Sequence, residues 1–181
     1  MKALQKSYAW LADEQSPRLL VEMLKIYGTI EAPGKGNTPL ILQWAKRIGL
    51  GHVYKSDAVP WCGLAVAYAA AQAGWDYAPN GNALWARNWA SWGDPVDEGK
   101  AMLGDVLVFA RGNAGHVALY VGEDEYYFHI LGGNQDDAVS IKRRAKAQLL
   151  AVRRCPWRVN QPENVRKVFL AAKGEVATSE A

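Results

Sequence analysis

Apolar residues recur at helical spacing in the first half of the chain and in short runs and alternations in the second. Ser16-Pro17 reads as an N-cap followed by proline at the first helical position. Leu19, Leu20, Met23, Leu24 and Tyr27 then share one face, and Gly28 can end the helix. The stretch 32–37 is a loop, and Thr38-Pro39 repeats the start signal. Leu40, Ile41, Trp44, Ala45 and Ile48 form the stripe of a second helix, ended by Gly49. After a loop over 50–59, Pro60 opens a third helix that carries Cys62 in its first turn and runs through Ala-rich sequence to Gly74. A fourth short helix is predicted over roughly 82–92, with Trp85, Trp89 and Trp92 on one face.

After Gly93-Asp94-Pro95 the period changes. Residues 106–109 read as a buried strand, 116–121 as a second and 126–131 as a third, with 122–125 as the hairpin turn between the last two. Residues 139–141 and 149–154 complete a small antiparallel sheet. Pro162 opens an expected C-terminal helix with Val165, Val168 and Phe169 on its apolar side, and 176–181 is expected to be loose. Residues 1–15 are a weakly patterned lead-in. Helices followed by strands predict an α+β fold in a single domain spanning 1–181, with a core over about 16–158 and a helical extension over 159–181.

Composition narrows the function. A chain of 181 residues can bury a core without disulfide support. Half its residues are hydrophobic and its net charge is +3, which excludes a disordered chain and argues for no nucleic-acid partner. Two cysteines exclude a disulfide framework and a four-Cys zinc site. The longest apolar run, 64–71, is too short to span a bilayer, and no apolar stretch near the N-terminus has the form of a secretory signal. The expectation is synthesis in the cytoplasm, with any action outside requiring release or delivery. Eight Trp and eight Tyr against three Phe is the compositional oddity, because those rings serve sugar- and peptide-binding clefts as well as cores.

Cys62 stands in Val59-Pro60-Trp61-Cys62-Gly63. A thiol in the first turn of a helix meets free amides and the positive end of the macrodipole, and both favour the thiolate. The competing reading is a buried structural cysteine, which fits Cys155 between Arg154 and Pro156. His116 opens a strand after Asn113-Ala114-Gly115, so its imidazole can face a helix start packed on the sheet and exchange a proton with the thiol. Taken alone it reads equally as an exposed loop-edge histidine. A third group should orient the imidazole, and two candidates follow: His129 in mid-strand and Asn134 after Gly132-Gly133. Asn134 also reads as a turn residue, and His129 as a strand histidine with a polar partner.

Five motifs occur in order: Pro60-Trp61-Cys62, the segment 86–93 (ARNWASWG), Gly104-Asp105 with the strand 106–109, Gly115-His116 with the strand 117–122, and Leu131-Gly132-Gly133-Asn134-Gln135. Together, over roughly 25–155, they resemble the CHAP and NlpC/P60 superfamily of phage and bacterial cysteine hydrolases. The resemblance implies a papain-like α+β fold, with N-terminal helices packed on a small antiparallel sheet. It implies Cys62 as nucleophile, His116 as general base, and Asn134 as the orienting residue, with His129 the alternative because relatives use a second histidine there. A regular strand gives 129 and 134 opposite parity, so only one should reach His116; Asn134 is preferred. Leu103 stands where relatives often carry proline, which leaves the chemistry untouched.

The expected activity is hydrolysis of an amide bond in the peptide part of bacterial peptidoglycan, as an endolysin or a delivered antibacterial effector. The chain would act on the wall as a monomer and need no cofactor. The Cys62 N–H is the natural oxyanion donor, with Tyr54, Ser56 and Asp57 as sources of a second. Trp61, beside the nucleophile, and Trp89, from the Trp85/Trp89/Trp92 stripe, are the candidate substrate-binding rings, although such a stripe also reads as core. His52 reads as a loop residue, and Lys142-Arg143-Arg144 with Lys146 as a solvated basic segment. No metal motif is present, and a Cys62/His116/His129 zinc site is only a minor alternative. The competing functions are an inactive cell-wall-binding or virion structural module, and another thiol acyl-transfer enzyme on the same scaffold.

Overall fold

In the computed structural model, which describes residues 3–157, 160, 161 and 163–174, the proline signals open the first two helices. Helix α1 covers Arg18–Lys25 directly after Pro17, and α2 covers Pro39–Arg47 with its proline in the first turn. Helix α3, Cys62–Ala73, ends at Gly74, whose φ of 80° provides the left-handed cap. Its burial is nearly all round, so it is the central helix. Trp44 of α2 stacks on Tyr68 of α3, with ring centroids 5.5 Å apart. The lead-in forms a 3-10 helix, Lys6–Ala12, that buries Tyr8 and Leu11.

Six strands follow: β1 Asp94–Val96, β2 Val106–Arg111, β3 Ala114–Glu123, β4 Tyr127–Gly132, β5 Ser140–Ala145 and β6 Leu149–Arg154. They form one antiparallel sheet in the order β1-β6-β2-β3-β4-β5. Asp124 caps the β3–β4 turn by accepting from the Tyr126 and Tyr127 N–H groups. Asp105, at the start of β2, takes a two-pronged contact from Arg154 of β6 and accepts from the Met102 N–H, so its role is structural. The chain is thus α+β, with helices and sheet sharing one apolar core. Among the described residues, no helix is long and apolar enough to cross a membrane.

Four expectations need correction. The segment 82–92 is not a regular helix; only Ala86–Ser91 is helical, and that as a 3-10 turn. It leaves Trp89 and Trp92 buried but Trp85 47% exposed. Strand β1 is not among the predicted strands: Pro95 lies in it, and the strand is short and sits at the sheet edge, where a missing N–H is tolerated. Of the basic run 142–144, Lys142 and Arg143 are exposed, as a solvated segment requires, but the run lies within edge strand β5 and Arg144, opposite Phe128 in the ladder, is partly buried. The described part of the C-terminal extension, 160, 161 and 163–174, contains no helix: its Val168 and Leu170 are buried, and Leu170 donates its N–H to the Glu123 carbonyl at 2.8 Å. Pro162 and residues 176–181 lie outside the described residues.

Candidate active site

The third helix delivers Cys62, and the sheet delivers His116. Helix α3 packs on β3 and β4, and its first turn is crossed by the backbone of 83–84. Gly63 permits that crossing, since a Cβ there would lie 2.3 Å from the Ala83 carbonyl oxygen. Cys62 is almost fully buried. Burial pushes its thiol pKa up, while N–H groups of Val117, Gly63 and Cys62 itself, and the charge of Arg111, act in the opposite sense. The Val117 N–H is one residue on from His116, so the sulfur sits against the stretch of β3 that carries the imidazole.

His116 pairs across the ladder with Phe109. Its Nε2 lies 3.2 Å from Gln135 Oε1. The Gln135 amide nitrogen is itself committed: it donates to the carbonyls of Ser140 at 2.5 Å, Gly132 at 3.3 Å and Ile130 at 3.4 Å. Oε1 must therefore be the atom turned to the histidine, and an oxygen acceptor requires a proton on Nε2. In the neutral ring the lone pair is then on Nδ1, which is buried and has no hydrogen-bond partner among the described residues. Burial, with help from Arg144, pushes the His116 pKa down to about 4, so the ring is neutral at pH 7.

Gln135, not Asn134, thus holds His116. Asn134 lines the same depression as His116 but makes no hydrogen bond to it among the described residues. The strand does not run on regularly to 134, as the parity of 129 and 134 requires: β4 ends at Gly132. Asn134, Asp136 and Asp137 adopt φ values of 54°, 52° and 56° in the turn that follows, and Asn and Asp tolerate that region best. The turn lies close to α3: a Cβ on Gly133 would be 2.6 Å from the Trp61 ring. The Gln135 N–H donates to the Ala138 carbonyl at 3.0 Å, closing the turn and carrying its side chain back over the sheet. The only signal for it in the chain was its place beside Asn134 in the Gly-Gly-Asn-Gln run.

His129 is not an alternative third residue for His116. Phe128 and His129 are consecutive in β4, so they point to opposite faces. Phe128 meets Phe109 on the His116 side. His129 faces the N-terminal segment instead: Tyr8 Oη lies 2.7 Å from Nδ1, and Asp124 Oδ2 lies 3.1 Å from Nε2. No group of three His, Cys, Asp or Glu side chains that could hold a metal ion occurs among the described residues.

The two tryptophans expected to bind substrate are core residues. Trp61 is fully buried, donates from Nε1 to Glu31 Oε2 at 2.7 Å, and packs on Trp44. Trp89 is fully buried and donates to the Ala83 carbonyl at 3.0 Å. Neither offers a face to a ligand. Trp85 does: with Cys62, Val59, Pro60, Leu84 and Gly115 it lines a largely apolar groove of about 250 Å³. Of the loop groups considered as a second oxyanion donor, Tyr54 Oη donates to the Val59 carbonyl, Ser56 Oγ accepts from the Ala58 N–H, and Asp57 Oδ2 accepts from the Thr38 and Ala32 N–H groups. These contacts brace the loop before α3. His52 is exposed and bonds only the nearby Gly49 carbonyl. Cys155 is buried, and burial raises its pKa to about 12, which makes it an inert thiol.

Comparison with protein-family models, with curated proteins and with solved structures finds no match to this chain.

Proposed function

We propose that the chain is a cysteine hydrolase of papain-like type that cleaves an amide bond in the peptide part of bacterial peptidoglycan. The observation that carries the reaction class is the hydrogen-bond chain that ends on His116: Gln135 accepts from Nε2, and Nδ1 is left as an unpartnered buried base beside the strand segment that holds the Cys62 sulfur. The substrate class rests on the ordered motifs that resemble the CHAP and NlpC/P60 hydrolases.

In the proposed cycle, Nδ1 takes the Cys62 proton as sulfur attacks the amide carbonyl. The N–H groups at the start of α3 receive the developing oxyanion. The imidazolium then protonates the leaving amine, giving a thioester on Cys62. Water, deprotonated by His116, hydrolyses that thioester, releases the carboxylate and restores the thiol. Gln135 keeps the ring in the tautomer this sequence needs. A neutral thiol–imidazole resting pair is the state favoured by burial of both groups.

The test is a digest of purified sacculi by the protein and by Cys62→Ala, with products identified by mass spectrometry. A new amine and a new carboxylate, formed by the protein and absent with Cys62→Ala, are expected. Cleavage by Cys62→Ala would remove the nucleophile assignment, and intact sacculi with the unaltered protein would remove the wall substrate.

A further inference from the structure

Beside His116 lies a second, polar depression of about 270 Å³, lined by Arg111, Asn134, Gln135, Lys142 and Arg144 among others. Gly115 and His116 are consecutive, yet Gly115 lines the apolar groove with Cys62 and His116 lines this polar one. The reacting pair therefore sits at the boundary between two differently furnished surfaces.

The charges of the polar depression do not balance. Lys142 pairs with Asp136 at 2.5 Å, and Arg143 pairs with Asp124 at 2.6 Å. Arg111 and Arg144 have no acidic partner among the described residues. Arg144 is half-buried, and its Nε is fully buried without a hydrogen-bond acceptor. Its guanidinium stands 5.9 Å from the centroid of the Phe109 ring, whose strand position pairs with His116. Burial and the charge of Arg111 both push the Arg144 pKa down, and both arginines act on His116 in the same sense.

A buried guanidinium N–H without an acceptor is an expensive arrangement, and so are two unpaired cations facing one cavity. Both are relieved by one chemistry: an anionic, planar acceptor matched to the guanidinium fork. Both arginines lie on strands, Arg111 at the end of β2 and Arg144 in β5, so their backbones are held by the sheet.

We propose that Arg111 and Arg144 form a carboxylate subsite that seats a free carboxylate of the peptidoglycan stem peptide next to the scissile amide. This inference rests on the hydrolase reading above, which supplies the identity of the peptide. The subsite would select acidic stems over amidated ones. A seated carboxylate also offsets the repulsion that the two cations exert on a protonated His116, so the imidazolium formed during attack is favoured when substrate is bound.

The test is equilibrium binding to Cys62→Ala, which cannot turn over, of a stem tetrapeptide with free carboxylates and of the same peptide with those groups amidated. The free-carboxylate form is expected to bind at least tenfold more tightly. That advantage should fall to less than threefold in Cys62→Ala carrying Arg144→Gln, and likewise in Cys62→Ala carrying Arg111→Gln. Arg111 is exposed, so its variant remains informative if the Arg144 variant unfolds. Equal binding of the two peptides, absence of binding by either, or an unchanged preference in the folded arginine variants would overturn the subsite. A sacculus digest by the unaltered protein runs alongside. A binding preference without cleavage removes the hydrolase reading and leaves the subsite standing; cleavage without a preference does the reverse.

Discussion

The chain places two histidines in adjacent strands of one sheet and treats them differently. His129 has both ring nitrogens engaged: its Nε2 is directed at the Asp124 carboxylate, and its Nδ1 receives the Tyr8 hydroxyl. The ring ties the N-terminal 3-10 helix to the β3–β4 hairpin, and nothing remains on it to react. His116 has one nitrogen engaged and one idle. An idle buried nitrogen is destabilising unless something else needs it. The partner also differs. A carboxylate supports a charged ring, whereas the neutral Gln135 fixes a tautomer and leaves the ring uncharged. Burial of a histidine is thus no guide to its role; the number of nitrogens left over is.

The sharpest way to break this contrast is to remove each group and measure turnover. If the proposed reaction holds, Cys62→Ala and His116→Ala should each lower kcat/KM for release of amines from sacculi by about 10⁴-fold or more, since the two would then act as one catalytic unit. His129→Gln should stay within about tenfold per folded molecule, because its ring only packs and bonds. Equal losses at both histidines would erase the distinction.

Acid should separate the two next. The folded state holds the His116 pKa at about 4 against the ordinary 6.5. Between those values the unfolded chain binds the proton and the folded one does not, so stability rises with pH there. The contribution is complete above about pH 6.5 and is lost as pH falls toward 4, roughly 3 kcal/mol in all. Burial also pushes His129 down, but the Asp124 carboxylate opposes it. Urea unfolding at pH 7, 5.5 and 4 should therefore lose more of its pH dependence in His116→Phe than in His129→Phe.

The orienting residue gives a third contrast. Gln135→Ala should lower kcat by about 10²-fold with little change in KM, as loss of the tautomer lock requires. Asn134→Ala should change kcat by less than about threefold, because that side chain does not touch the ring. The reverse ranking would return the third position to Asn134.

His129→Leu belongs further down the scale and reads in stability. It strands the Tyr8 hydroxyl and the Asp124 carboxylate near a buried face, which should destabilise the protein by about 2 kcal/mol. Arg143 still pairs with Asp124, which keeps the loss at that level. A drop in thermal midpoint with kcat per folded molecule retained is the expected pattern.

Much of this was legible in the residues, for local reasons. Proline at the helix starts and glycine at the ends marked α1 to α3, because backbone restriction acts wherever the neighbours lie. The continuous apolar runs in 106–109 and 116–121 marked β2 and β3. Cys62 and His116 stood out by local context: a thiol at a helix start, and an imidazole opening a strand after a glycine. Gln135 did not, because its position depends on where β4 stops and on three left-handed residues in the turn beyond it. Arg144 was hidden for a related reason: within a basic run, only the register of β5 says which charge turns inward. The tryptophans misled because burial of an indole is decided by the tertiary path. The backbone of 83–84 crosses the start of α3, where the Ala83 carbonyl accepts from the buried Trp89 indole, while Trp85 beside it stays about half exposed.

Trp85 supplies the smallest effect and extends the contrast from the two histidines to the surfaces around Cys62. Its ring is the large exposed aromatic of the apolar groove, so it can cover the part of a substrate that lies away from the charged depression. Such contact is made in the ground state and the transition state alike, so its removal should raise KM and leave kcat in place. Trp85→Ala should raise KM about fivefold, the loss of roughly 1 kcal/mol of stacking and area. Its thermal midpoint should hardly move, because nearly half the ring is already in water. If KM is unchanged while Arg144→Gln still weakens binding, substrate lies along the charged side of the nucleophile alone, and the apolar groove is a surface the reaction does not use.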